Sequence, residues 1–255
     1  MQGRLKGKGI VVAGAGGIGN ELARRYASEG ASVLVGDIDA AAARAVAEEI
    51  VVAGGRAIGV ELNGADGESI RSAVVLAVTT FGGLDGFHAN FASFRDGTGG
   101  EDVLGLPLDI YDEVMHVNAR GFLLCTRHAV PAMIARGGGS MVYTSSGAAH
   151  MGEAVRVAYA MSKAAIHALM RHVARRFGPD GIRANVIAPG VISHRRFEAV
   201  ISPEIANAFR QATAIKTRLG SPSDIAAMGA LLMSDEGSYI TGQVISVDGG
   251  NSMRP

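Results

Sequence analysis

Short apolar runs recur along the chain at Ile10–Ala13, Ser32–Gly36, Arg56–Glu61, Gly86–Ala89, Ser140–Ser145, Arg183–Ala188 and Gln243–Val247. They carry few charges, which fits strands covered on both faces. Between them lie longer segments in which apolar residues return every three or four positions. In Ile18–Glu29, for example, Ile18, Leu22 and Tyr26 share one face. Ala40–Ala53, Ile70–Phe81, Leu108–Arg136, Val157–Phe177 and Pro222–Met233 follow with the same helical period. Strands that alternate with helices predict an α/β fold with a parallel sheet between helix layers. Right-handed crossovers then make it doubly wound. No Pro/Ser linker, fixed-period repeat or low-complexity block interrupts the alternation, so residues 1–255 read as one domain. The least regular stretches are Phe91–Gly105 and His194–Ile215.

Composition narrows the function. Hydrophobic residues make up 48% of the 255, enough for a sizeable core. Lys and Arg number 24 against 24 Asp and Glu, so no net charge draws the chain to nucleic acid or to an anionic membrane. No apolar run reaches the ~18 residues of a membrane span. The run Ile10–Ala13 is too short for a signal peptide and leads straight into a glycine loop. A single cysteine, Cys125, cannot form an intrachain disulfide and lies in an apolar stretch, where it reads as a core residue. These features predict a cytoplasmic location. The seven histidines show no zinc spacing, since His167 and His172 are five apart and no Cys pair supports them, so no metal is expected. Glycine stands out, with 36 residues. That is about twice average usage.

Part of that excess has a chemical address. The first apolar run is followed by Gly14-Ala15-Gly16-Gly17-Ile18-Gly19 and then directly by a helical segment. This is G-x-G-x-x-G in the strand–turn–helix context of a Rossmann unit that binds a dinucleotide. Glycine lets a pyrophosphate approach the backbone, and the helix N-terminus offers free N–H groups and positive dipole. Asp37 ends the second run, eighteen residues after Gly19. A carboxylate there accepts hydrogen bonds from the ribose hydroxyls of NAD and repels the extra phosphate of NADP. Asp39 is a rival for that role but lies beyond the strand, and Asp37 also reads as a turn residue.

A second constellation lies in the C-terminal half. Tyr159 and Lys163 are one helical turn apart on one face. A phenol titrating near pH 10 is a poor base at neutral pH, and a nearby ammonium favours its ionised form. Ser146, thirteen residues upstream of Tyr159, closes the strand Ser140–Ser145 and offers a hydroxyl to the same substrate oxygen. With a hydride acceptor beside it, this group suits proton exchange with an alcohol or ketone.

Together these residues resemble the short-chain dehydrogenase/reductase family, in its branch of about 250 residues. The resemblance spans essentially the whole chain. It includes Val117-Asn118-Ala119 as the family's asparagine, the segment Asn185–Ser193 after the sixth strand, and Ile240–Gly250 as the last strand and its exit. It implies a seven-stranded parallel sheet and an NAD-dependent oxidoreductase acting on a secondary alcohol or ketone. Tyr159 would be the acid–base, Lys163 its modulator and a ribose ligand, Ser146 the positioning hydroxyl, and Asn118 the holder of a relay water. Pro189, Gly190, Ile192 and Ser193 would meet the nicotinamide end of the cofactor, and Asn90 and Asn63 would stand on the cofactor side. The resemblance further implies a homotetramer with residues 108–136 and 157–177 at one interface, and a substrate lid within 194–215. Met151, Glu153 and His194 are candidate pocket residues.

The sequence departs from the family pattern in three places. Val12-Ala13 or Ala13-Gly14 stands where Thr-Gly is usual, the adenine-side Asp is Asn63, and Asn-Asn-Ala-Gly is Ala89-Asn90-Phe91-Ala92. Asn63 reads equally as an acceptor for the adenine amine or as a turn former. Two alternatives stand beside the main reading. One is an NADPH-dependent 3-oxoacyl-carrier-protein reductase, opposed by Asp37. The other is a non-catalytic dinucleotide-binding redox sensor, opposed by the intact set of Ser146, Tyr159, Lys163 and Asn118.

Overall fold

The computed structural model describes residues 3–97 and 102–253. Residues 98–101, within the irregular stretch Phe91–Gly105, lie outside the described residues. The seven predicted strands are β1 (Gly9–Ala13), β2 (Ser32–Asp37), β3 (Arg56–Glu61), β4 (Gly86–Ala89), β5 (Gly139–Thr144), β6 (Ile182–Pro189) and β7 (Val244–Val247), each within one residue of its expected ends. They form one parallel sheet in the order β3-β2-β1-β4-β5-β6-β7. The expected doubly wound Rossmann architecture is therefore the observed one.

Alternation along each strand feeds two cores. Ile10 and Val12 of β1 join Val33 and Val35 of β2 on one face, while Val11, Ala13 and Leu34 point into the other. The first face is covered by α1 (Gly17–Ser28), α2 (Ala40–Val52) and α9 (Pro222–Met233). The second is covered by α3 (Gly67–Phe81), α5 (Gly121–Arg136) and α6 (Val157–Phe177). Both faces are dry, which explains why the strands read as continuous apolar runs. The strand order reverses between β1 and β4, so their C-terminal loops diverge and open the crevice where ligands bind in such sheets.

Two expectations need correction. Leu108–Arg136 is not one regular helix. It is α4 (Leu108–Met115), a π turn over His116–Arg120 and α5. A π turn inserts one residue into the helical repeat, which a 3.6-residue pattern cannot register, and such turns concentrate at functional sites. The stretch His194–Ile215 is not irregular throughout: it carries α7 (Arg195–Glu198) and α8 (Pro203–Gln211). Both are short, and α8 buries no residue fully, so their apolar signal is weak.

Candidate active site

The glycine loop is built by close approach. Gly14 has φ of +103°, and a Cβ there would lie 2.7 Å from the Phe91 nitrogen. A Cβ on Gly19 would lie 1.7 Å from the Gly14 carbonyl oxygen. Gly16 differs, because nothing stands within 4 Å of its Cβ position. It is the N-cap of α1, has no side-chain cap, and no acidic residue occupies the first turn. The positive end of α1 therefore opens onto free space, the arrangement an anion needs.

Asp37 stands beside this loop. Its Oδ2 accepts from the Ala15 N–H at 2.6 Å and its Oδ1 from the Asp39 N–H at 3.0 Å. Asp39 is committed elsewhere: it caps α2 by accepting from Ala41 and Ala42. Of the two carboxylates, only that of Asp37 is bonded to the glycine loop. The Asn63 side-chain oxygen accepts from the Ala65 N–H at 3.0 Å, which is the turn-forming role.

A buried polar chain fixes the loop from below. Asn90 Nδ2 donates to the Gly14 carbonyl at 3.1 Å, and Asn90 Oδ1 accepts from Thr144 Oγ1 at 2.9 Å. Since the Thr144 proton is spent on Asn90, Thr144 accepts from His88 Nε2 at 2.9 Å. His88 Nδ1 then accepts from the Tyr26 hydroxyl at 2.7 Å. The direction of every bond follows from the first. Burial pushes the His88 pKa down to about 3, so the ring is neutral, as this chain requires. His88 is thus a packed, fully bonded residue, and Asn90 holds the glycine loop from beneath.

The catalytic candidates converge at the C-terminal ends of β4 and β5. Ser146 follows β5 and caps a short 3-10 turn, accepting from Ala148 at 3.2 Å. The Ser146 hydroxyl stands beside the Tyr159 phenol and favours its ionised form. Tyr159 and Lys163 are both buried on α6, with Lys163 Nζ 5.5 Å from the Tyr159 ring centroid. Lys163 donates to the Thr144 carbonyl at 3.1 Å and lies 5.0 Å from the Phe122 ring centroid.

Burial dominates the titration of both groups. It pushes the Tyr159 phenol up to about 12, against lowering by Ser146 and Arg156, and brings the Lys163 ammonium down to about 7. The expected lowering of the phenol by the lysine does not prevail, because burial of each group disfavours its charged form.

Asn118 lies in the π turn, fully buried. Its Oδ1 accepts from the Ser93 N–H at 2.7 Å, and its Nδ2 donates to the Ser93 carbonyl at 3.0 Å and to Ser162 Oγ at 3.2 Å. The side chain clamps the loop after β4 to α6.

The segment after β6, expected on the nicotinamide side, is held tightly. Gly190 admits the close approach of the segment after β7: a Cβ there would lie 2.8 Å from Asp248 Cα. Pro189 ends β6, Ile192 bridges to Gly220, and Ser193 Oγ donates to Glu198 at 2.6 Å. The His194 ring stands against Gly17, whose Cβ position is 2.8 Å from the His194 Cγ, so this residue belongs to the glycine-loop side. Met151 is exposed, and Glu153 pairs with Arg156.

Two residues at the site were not singled out from the sequence. Phe94 stacks on Tyr159 with centroids 5.1 Å apart, and Asp96 accepts from the Tyr159 N–H at 2.6 Å. Both lie in Phe91–Gly105, whose lack of periodicity hides which side chains turn inward.

Residues 12–252 match a family model described as enoyl-(acyl carrier protein) reductase. A probable short-chain type dehydrogenase/reductase of Bradyrhizobium diazoefficiens is 39% identical over 97% of this chain and 88% of its own. The chain belongs to the short-chain dehydrogenase/reductase family of oxidoreductases. Another member, 7alpha-hydroxysteroid dehydrogenase of Escherichia coli K12, is 36% identical over 97% of this chain and 95% of its own. A solved 7alpha-hydroxysteroid dehydrogenase, complexed with NADH and 7-oxo glycochenodeoxycholic acid, superposes with a TM-score of 0.90. It is 33% identical, and the match covers 98% of this chain and 97% of that one.

Proposed function

We propose that this family member is an NAD-dependent dehydrogenase that interconverts a secondary alcohol and its ketone, with Tyr159 as general acid–base. The observation that carries the reading is the Ser146 hydroxyl set beside the buried Tyr159 phenol, with a buried Lys163 one helical turn on. The uncapped α1 with open space at Gly16, and the Asp37 carboxylate beside the loop, fit a dinucleotide with free ribose hydroxyls. When bound, the nicotinamide accepts the hydride from the carbinol carbon, or returns it. Ser146 holds the substrate oxygen, and Tyr159 takes the hydroxyl proton during oxidation and returns it during reduction. Lys163 supplies charge beside the phenol, and the Asn118 carbonyl is the place for a water that carries the proton outward.

Asp37 supports NAD over NADP, in keeping with the NADH held by the solved relative. The exposed Phe94 stacked on Tyr159, the exposed Met151, and the hydroxysteroid dehydrogenases among the relatives support a cyclic, largely apolar alcohol. Residues 194–215, with α7 and α8, are the substrate lid in this reading. A cytoplasmic location suits the single buried cysteine. A homotetramer suits the apolar groove between α5 and α6, which exposes Leu123 and Ile134.

The test is Tyr159→Phe, assayed with NAD against a panel of hydroxysteroids and simpler cyclic alcohols. Turnover should fall more than about a hundredfold while NADH still binds, because acid–base catalysis contributes roughly 10²–10⁴-fold. Near-normal turnover in this variant would refute the assignment.

A further inference from the structure

Helix α6 begins without a cap of its own. Its N-cap is Arg156, whose side chain carries donors only and makes no cap hydrogen bond. Arg156 also sits in the left-handed region at φ of 62°, the one non-glycine residue with positive φ among those described. The first-turn N–H groups of a helix need an acceptor, above all where water is excluded. At Tyr159, the third residue of α6, that acceptor comes from elsewhere in the chain. Asp96, 63 positions upstream, accepts from the Tyr159 N–H through Oδ2 at 2.6 Å. Asp96 is only 1% exposed, and its Oδ1 is buried with no hydrogen-bond partner among the described residues. An unshared buried carboxylate oxygen is costly, and its presence in a native fold calls for an explanation.

The surroundings tie this carboxylate to the reacting phenol. Asp96 lies in a 3-10 turn (Arg95–Gly97) on the loop after β4. The same loop carries Phe94, stacked on the Tyr159 ring, and Ser93, whose backbone is clamped by Asn118. Arg95 pairs with Glu113 of α4 on the exposed side. One loop therefore touches Tyr159 at both its ring and its backbone.

We propose that Asp96 is a positioning residue for Tyr159: its carboxylate serves as the missing cap of α6 and couples the order of the loop after β4 to the placement of the phenol. This inference rests on Tyr159 as the acid–base. The charged and polar groups facing the phenol are Ser146 and Arg156, which favour its ionised form, Glu153 and Asp96, which oppose it, and Lys163 across its ring. The Asp96 carboxylate has a second effect: it sits at the positive end of α6 and offsets the helix dipole that would otherwise favour the phenolate.

Two variants separate the anchoring from the charge. Asp96→Ala should speed amide exchange of Tyr159 at least tenfold and lower kcat at least tenfold, with the NADH Kd unchanged within twofold. A hydrogen bond to a charged acceptor is worth about 1.5–3 kcal/mol, which sets that scale. Asp96→Asn keeps an acceptor and removes the charge. It should retain the exchange protection and move the acidic limb of the kcat profile to lower pH. Unchanged exchange in Asp96→Ala, or a limb at the wild-type pH in Asp96→Asn, would overturn the proposal. Should Asp96→Ala fail to fold, the Asp96→Asn profile decides alone. If Tyr159→Phe retains turnover, the acid–base reading fails, while amide exchange still reports the anchor. If Tyr159→Phe is inactive and both Asp96 variants behave as wild type, only this inference fails.

Discussion

Replacing Gly16 by alanine separates what the glycine loop does for folding from what it does for a ligand. Gly16 has φ of −80° and ψ of 174°, a conformation alanine adopts freely. Its Cβ would meet nothing within 4 Å. Two small effects on stability oppose one another. Alanine is a poorer N-cap than glycine, and it also restricts the unfolded chain by about 0.4–1 kcal/mol in favour of the fold. The net change should stay within about 0.5 kcal/mol, which moves Tm by about 2 °C or less in a domain of this size.

Binding responds differently. The new methyl group would occupy the open space at the positive end of α1, and a pyrophosphate seated there would be pushed off the backbone N–H groups. Losing even one charge-assisted hydrogen bond costs about 1.5–3 kcal/mol, so the NADH Kd should rise at least about tenfold. Thermal unfolding and a fluorescence titration with NADH measure the two quantities on one sample. An NADH affinity within twofold of wild type, with the fold intact, would refute the placement of the pyrophosphate. Gly19→Ala is the contrast: its Cβ would lie 1.7 Å from the Gly14 carbonyl oxygen, so Tm itself should drop and binding should fall with it.

Other outcomes follow from the site. Asp37→Ser removes the carboxylate beside the loop and should lower the NAD-to-NADP ratio of kcat/KM at least tenfold, measured on one alcohol with both cofactors; an unchanged ratio would place the selectivity elsewhere. Lys163→Met should abolish turnover and raise stability. The buried ammonium titrates at about 7 instead of 10.5, so between those values the unfolded chain binds a proton that the folded chain does not. Wild-type stability therefore rises with pH across that window, and the burden is fullest below pH 7. It corresponds to roughly 5 kcal/mol before relaxation and the lost bond to Thr144 are deducted. Unfolding of Lys163→Met should thus come about 5 °C or more above wild type below pH 7, with the gap closing toward pH 10. A gap independent of pH would contradict the titration.

The strands were legible because burial on both faces leaves an unbroken apolar run, and a run bounded by glycine or a charge has few other readings. The helices that cover the sheet were legible for the same reason. What failed was what the period of 3.6 does not encode: a π turn at His116–Arg120 and the short helices α7 and α8, which bury little. The set of Ser146, Tyr159 and Lys163 was legible because two of its members share one helix face and the third ends a strand whose direction the fold class fixes. The closeness of Ser146 to Tyr159, however, is a tertiary fact.

The sequence by itself determined the period of each element, the parallel sheet, and the kinds of side chain available to the chemistry, since these depend on neighbours along the chain. Tertiary structure alone decided which carboxylate meets the glycine loop: Asp37 does, and Asp39 is spent on capping α2. It also decided that burial raises the phenol and lowers the lysine, and that Asp96 caps a helix 63 positions away. Solvent exclusion and long-range hydrogen bonds belong to positions in space, and no local pattern of residues carries them.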